Sequence, residues 1–288
     1  MKVLIGFNGS KASSDALVDL KFAGLPDDTE IQVVTVAESW VSPGSLDEAR
    51  VISEEAAKLV STIVNNSNVS AFATEGSPPR EILSVAEKFG PDLILLGEPP
   101  QDSGHNNMFL GQTSQIVLTE SSCSVRIARK STANAESARM IVGFNGSPAA
   151  MLAVDAIIAR SWPSNAEVKL LAVADSSVLA SIGRFAPQMT DSLVEEKLAH
   201  QWAETLAGAT LEKLRNANIQ ATLQVAFGHP KDVIAKEAGR WNATSIFVGP
   251  HCSLNSYERF LIGSVSASLA AQAPCSVEIV RRSPNHIQ

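Results

Sequence analysis

The chain has 288 residues, 45% of them hydrophobic, with three cysteines and a formal net charge of −7. That length suits one large domain or two of roughly 140 residues, and the apolar share suits a globular core. The acidic balance argues against nucleic acid or an anionic membrane as the main partner, because both need clustered cations, and three sparse cysteines do not make a disulfide framework.

Taken in chain order, the first residues already set the theme. Val3, Leu4 and Ile5 form a short apolar run that fits a strand buried on both faces. Met1 to Gly6 is too short an apolar run for a secretion signal. No stretch approaches the ~18 apolar residues of a membrane span. The expectation is a cytoplasmic protein that does not cross a membrane. The first run ends in GFNGS, residues 6–10. Asn-Gly is a turn signal and Ser10 a good N-cap for the helix that follows to about Gly24. Next come a strand at 31–36, a helix at 46–64 and a strand at 69–73. Pro78-Pro79 opens a helix through Lys88, since proline suits a first helical turn. A strand at 92–97 ends in Gly97, a helix runs 111–119, and a strand runs 124–128.

GFNGS then returns at residues 143–147, an offset of 137. Gly76 and Pro78 match Gly228 and Pro230 at an offset of 152, as do Gly97 and Gly249, Gly111 and Gly263, and Cys123 and Cys275. The second copy therefore carries 15 extra residues between Ser147 and Gly228. Its strands are expected near 140–144, 167–173, 220–226, 245–248 and 276–280, and its helices near 148–160, 190–216, 231–240 and 263–272. The apolar stripe Leu193, Leu198, Trp202, Leu206, Leu211 and Leu214 reads as the core face of the long helix. The division is residues 1–130, a small polar linker 131–138, and residues 139–288.

Strand–helix alternation with helix-length crossovers gives an α/β fold: two tandem open five-stranded parallel sheets with helices on both faces. Such sheets bind ligands at the carboxyl ends of strands where the strand order reverses. Chemistry is therefore sought at GFNGS, after the first strand, and at Gly97 and Gly249, after the fourth.

These elements together resemble the universal stress protein family in tandem form, over both halves nearly end to end. The resemblance rests on the first strand with GFNGS, on Gly76-Ser77-Pro78 with Ile82 and Gly228-His229-Pro230 with Ile234, on the glycine closing strand four, on the Gly-led last helix, and on the Cys-Ser-Val final strand. It implies strand order 3-2-1-4-5, a Rossmann-like architecture of the adenine nucleotide alpha hydrolase type, and pairing of final strands across a twofold. In a tandem chain that pairing is an internal pseudo-dimer, and a homodimer of whole chains stays open. Arg126 opposite Glu278 suits it, with the expectation that exchanging both charges is tolerated and exchanging one is not.

The resemblance also implies an adenine nucleotide such as ATP, with Mg²⁺ only alongside the nucleotide. Nucleotide-binding members carry G-x-x-G-x9-G-[S/T] after strand four, where glycines let backbone approach phosphate and the last helix points its positive end at it. Carried over, the candidate residues in the second half are Asn145, Val173, Gly249, His251, Cys252, Gly263, Ser264 and Val265. The weaker equivalents in the first half are Asn8, Val36, Gly97, Gly111, Gln112 and Thr113. The match has gaps. Cys252 stands where the second glycine belongs, and the spacer to Gly263-Ser264 is ten residues. The first half lacks that glycine and the serine, though Thr113 and Ser114 follow. Asn8 and Asn145 replace an aspartate, and asparagine still donates and accepts.

Glu98 and Asp102 place negative charge near the first half's phosphate position. At roughly 5 Å and an effective dielectric near 20, each like-charge pair costs about 3 kcal/mol. Pro99 and Pro100 also remove two N–H donors. The second loop offers His251 and Arg259, plus Lys231 if the third helix lies close. Any nucleotide is expected there. Cys252 reads either as an ordinary loop residue or as a redox-sensing thiol. Cys123 and Cys275 read as small core residues. No metal set, nucleophile–base pair or G-x-S-x-G elbow is visible. The alternative to a nucleotide module is an interaction protein with degenerate sites in both halves; slow nucleotide hydrolysis ranks last.

Overall fold

The computed structural model describes residues 1–38, 45–64, 67–98, 110–130, 137–175, 192–249 and 263–282. The first half runs β1 (Lys2–Gly6), α1 (Lys11–Asp19), β2 (Glu30–Ala37), α2 (Ser45–Ile63), β3 (Asn68–Glu75), α3 (Pro78–Phe89), β4 (Leu93–Gly97), α4 (Gln112–Glu120) and β5 (Ser124–Ala128). The second runs β6 (Arg139–Gly143), α5 (Pro148–Ile158), β7 (Glu167–Ala174), α6 (Ser192–Asn216), β8 (Gln220–Phe227), α7 (Pro230–Arg240), β9 (Ser245–Val248), α8 (Ser264–Gln272) and β10 (Ser276–Ile279). Where the sequence suggested one helix to Gly24, α1 tightens into a 3₁₀ turn at Leu20–Phe22. No described helix is long and apolar enough to cross a membrane.

The two expected sheets are joined into a single ten-stranded sheet, ordered β3-β2-β1-β4-β5-β10-β9-β6-β7-β8. Neighbours are parallel within each half, as helix-length crossovers require. Among the described residues the one antiparallel pairing is β5 with β10, where Arg126 faces Glu278. Val3, Leu4 and Ile5 of β1 are fully buried, consistent with helices on both faces. On one face a continuous core spans both halves, including Ile82 and Val125 from the first with Ile234 and Val277 from the second. On the other face each half has its own core.

The seam between the halves is charged and dry. Arg126, Glu278 and Asp19 are at most 2% exposed. Arg126 donates through Nε to Asp19 Oδ2 at 2.6 Å and through Nη2 to Asp19 Oδ1 at 3.2 Å. Its contact with Glu278 Oε2 across the strands is 3.5 Å. Glu278 instead takes both of its strong donors from Arg160, one at 2.9 Å to Oε2 and a shorter one to Oε1. Burial pulls the Arg126 pKa down, but the Asp19 charge and hydrogen bonds, with Glu278 behind them, hold it above the usual value. The expectation that the 126–278 charges could be exchanged as a pair is therefore overturned. Each has its main partner within its own half, and exchange would set Glu against Asp19 and Arg against Arg160.

Two further pairs of seam contacts are reciprocal. Arg129 donates to the Ala270 and Ala271 carbonyls at the end of α8, and Arg281 donates to Leu118 O of α4 at 2.7 Å. Ser276 Oγ accepts from Arg129 N at 2.9 Å, and Ser124 Oγ accepts from Arg281 N at 3.0 Å. A guanidinium at a helix C-terminus meets both the orphan carbonyls and the negative dipole end. Arg160 also donates to Ala23 O at 3.0 Å, and Ser161 N to Gly24 O at 3.1 Å.

Two local features differ from the sequence reading. The buried face of α6 is Ala199, Ala203, Ala207, Thr210 and Leu214, while Leu206 is 37% exposed. Small residues let α6 lie close on β7 and β8, and the larger side chains flank that line. Leu193 lies where only the backbone is described. Gly97 and Gly249 are also not simply phosphate glycines. A Cβ on Gly97 would lie 2.2 Å from Ala12 O, and one on Gly249 2.2 Å from Ala149 O. The strand tip touches the backbone of α1 or α5, so no side chain fits.

Two outcomes follow. Arg126→Glu combined with Glu278→Arg is expected to lose about 3–5 kcal/mol, the usual loss when a buried ion pair is broken, measured by guanidinium unfolding; a double variant as stable as the parent contradicts the partner assignment. Gly249→Ala is expected to lose about 1–3 kcal/mol by overpacking even without ligand, and an unchanged unfolding midpoint contradicts the packing role.

Candidate functional site

The GFNGS pentapeptides sit at the tips of β1 and β6 and build the same device. Asn8 Oδ1 accepts from Ser10 N, and Asn145 Oδ1 from Ser147 N, each at 3.1 Å. Ser10 Oγ then accepts from Ser13 N, and Ser147 Oγ from Ala150 N, each at 3.2 Å. An Asx turn thus delivers the chain into a serine-capped helix. Half of each asparagine carboxamide is spent on that turn. The NH₂ group is not part of it.

A crevice opens beside each pentapeptide, between the β1 and β4 tips or the β6 and β9 tips. The chain leaves the first and fourth strands of each half in opposite directions there, which is where an open α/β sheet binds ligands. The second-half crevice is about 480 Å³ and brings together Asn145, Val173, Gly249, Gly263, Ser264 and Val265. Leu171, Ile234 and Val248 form its apolar wall. His251, Cys252 and Arg259 lie outside the described residues. Lys231, suggested as a cation for this site, is exposed and does not line the crevice. The first-half crevice is about 350 Å³ and gathers Asn8, Val36, Gly97, Gly111, Gln112 and Thr113.

Two acidic residues were missed in the sequence. Glu38 lines the first crevice and Asp175 the second. Both immediately follow the second strand of their half, at the same offset of 137 as GFNGS. Pairing residues at that offset would have found them.

The crevices differ at their helix starts. In the second, α8 begins at Ser264 with Gly263 as N-cap, and the glycine has no side chain to close it. Ser264 is the first helical residue and exposed, so it is not the cap. Ser264, Val265 and Ser266 of the first turn line the crevice, and Ser266 Oγ donates to Gly249 O at 3.2 Å, tying helix to strand tip. An uncapped first turn presents N–H donors and a positive dipole end. In the first crevice α4 begins the same way on Gly111, but Glu98 stands over it. Its two carboxylate oxygens lie 3.2 and 3.7 Å from where a Gly111 Cβ would be. The carboxylate expected near the phosphate position is therefore at the helix mouth itself; Pro99, Pro100 and Asp102 lie outside the described residues.

The described cysteines stand apart from this chemistry. Cys123 and Cys275 are buried and free. Burial pushes the Cys275 thiol up to about 12 and raises that of Cys123, so neither supplies thiolate near neutral pH. Among the described residues no three His, Cys, Asp or Glu side chains gather as a metal set.

A family model described as the universal stress protein family matches the chain twice, over residues 1–129 and 137–281. A Staphylococcus aureus (strain USA300) relative whose name places it among the universal stress proteins is 29% identical over 143 residues, 49% of this chain and 82% of the relative. A solved universal stress protein from Archaeoglobus fulgidus DSM 4304 superposes with a TM-score of 0.67 at 21% identity, covering 98% of both chains. A functionally unknown protein from Pseudomonas aeruginosa PAO1 superposes at 0.65 with 13% identity, covering 98% of this chain and 92% of its own. These two likenesses speak to the fold alone. With both halves matched over most of their length, the chain belongs to the universal stress protein family.

Proposed function

We propose that the chain is a nucleotide-responsive binding module that takes an adenine nucleotide, such as ATP, in the second crevice, with Mg²⁺ arriving only with it. The observation that carries this reading is the uncapped start of α8, which lines a crevice of about 480 Å³. Pro250, not a carboxylate, follows Gly249 in the sequence. Phosphates would accept from the first turn of α8, where the dipole favours an anion. Leu171, Val173 and Ile234 would pack on the base. The Asn145 NH₂ and the Asp175 carboxylate would serve ribose hydroxyls. The two halves, 1–130 and 139–288 joined by 131–138, act as an internal pseudo-dimer through β5 and β10. Ligand occupancy alters the surface offered to a partner.

A second reading is an interaction protein that binds no nucleotide. It is favoured by Gly97 and Gly249, whose packing against α1 and α5 accounts for them without any ligand. Melting temperature under an ATP–Mg²⁺ titration separates the two. At 100 times its dissociation constant a ligand adds about 2.7 kcal/mol. The nucleotide reading expects a shift that Gly263→Val abolishes and Gly111→Val leaves intact. Gly263 sits at φ −63°, ψ 149°, a backbone that valine accepts. No shift at millimolar ATP overturns the nucleotide reading in favour of the second.

A further inference from the structure

The first crevice repeats the walls of the second but carries a different charge at its inner end. Glu98 is 9% exposed, and its backbone N–H donates to Ala128 O at 3.0 Å, which pins it at the β4 tip. Its carboxylate lies over Gly111 at the start of α4, the helix start that corresponds to Gly263 and α8 in the other half. A second carboxylate, Glu38, lines the same crevice from the β2 tip. Arg129 is within electrostatic reach of Glu98; its Nη2 donates to the Ala270 and Ala271 carbonyls, its Nε and Nη1 have no hydrogen-bond partner among the described residues, and no ion pair joins it to Glu98. Meanwhile the apolar wall of Val36 and Ile82 and the Asn8 carboxamide remain in place.

We propose that the first crevice is a nucleoside site, taking base and ribose without phosphate, with Glu98 standing where phosphate would otherwise lie. The identity of the base rests on the reading of the second crevice as an adenine nucleotide site, because the duplicated walls carry that assignment across. A phosphate brought to roughly 5 Å from Glu98 at an effective dielectric near 20 is disfavoured on the order of a hundredfold for a single charge pair. An uncharged 5′-hydroxyl meets no such repulsion and can donate to the carboxylate. The two crevices then distinguish the phosphorylated and unphosphorylated forms of one compound.

Calorimetric titration of the full chain with adenosine and with AMP tests this. AMP is expected to fill one site per chain, lost with Gly263→Val, whereas adenosine binding persists in Gly263→Val. Glu98→Gln, which keeps the size and removes the charge, is expected to raise the AMP count from one to two, while adenosine still binds with the charge-assisted part of its 5′-hydroxyl bond lost. Two AMP sites in the parent chain, loss of all adenosine binding in Gly263→Val, or an AMP count unchanged by Glu98→Gln each overturn the proposal. Should Gly263→Val fail to fold, the parent and Glu98→Gln titrations still decide it. AMP bound once and unaffected by Glu98→Gln sinks the nucleoside site and spares the nucleotide reading. Adenosine bound, with AMP binding only after Glu98→Gln, does the reverse.

Discussion

The first turn of any α-helix carries backbone N–H groups with no partner inside the helix, and on the proposed function the way this chain treats them sets what each crevice holds. The same duplicated scaffold answers in three ways. Serine caps close α1 and α5 through Ser10 and Ser147. A neighbouring carboxylate, Glu98, stands over α4. The start of α8 has the same glycine cap as α4, with Pro250 in the sequence where the first half has Glu98. The positive end of a helix dipole favours an anion. A crevice whose anion is built in and one whose anion must come from outside are different sites, even with matching walls.

That difference sits on a rigid frame. The seam at β5 and β10 buries two acids and four arginine side chains, and each main ion pair lies within one half: Arg126 with Asp19, Arg160 with Glu278. What crosses the seam is mostly backbone pairing and the reciprocal arginines, Arg129 onto the end of α8 and Arg281 onto the end of α4. Each last helix therefore begins at its own crevice and ends against a side chain from the other half. Stripping water from these charges is costly; multiple hydrogen bonds compensate it at Arg126 and Glu278, whereas Nε and Nη1 of Arg129 and Arg281 have no partner among the described residues.

Much of this was legible in the sequence, and what was not has identifiable physical causes. GFNGS could be read because its chemistry is local: an asparagine turning onto a serine two residues on, and that serine capping the next turn. The strand and helix order could be read because buried parallel strands are short apolar runs and the copy repeats every signal. Gly97 and Gly249 were noticed, but their steric partners, Ala12 and Ala149, are backbone atoms on another element, and sequence spacing does not reveal such contacts. Arg126 and Glu278 were rightly set opposite each other, yet Asp19 and Arg160 come from helix-side segments far along the chain. The α6 stripe was read only in part: Leu214 is buried and Leu211 packs on the core, but the alanines that let the helix lie close on the sheet were passed over because leucine outweighs alanine in a hydrophobic pattern. The charge of Glu98 was visible, whereas its position over Gly111 needed the tertiary structure.

On the proposed function, of the two duplicated helix starts only that of α8 takes phosphate. Amide hydrogen exchange of the full chain with and without ATP–Mg²⁺ tests it most directly. The account predicts slowed exchange at residues 264–266 and no change at 112–114. Protection at 112–114, or at neither start under saturating nucleotide, would contradict it.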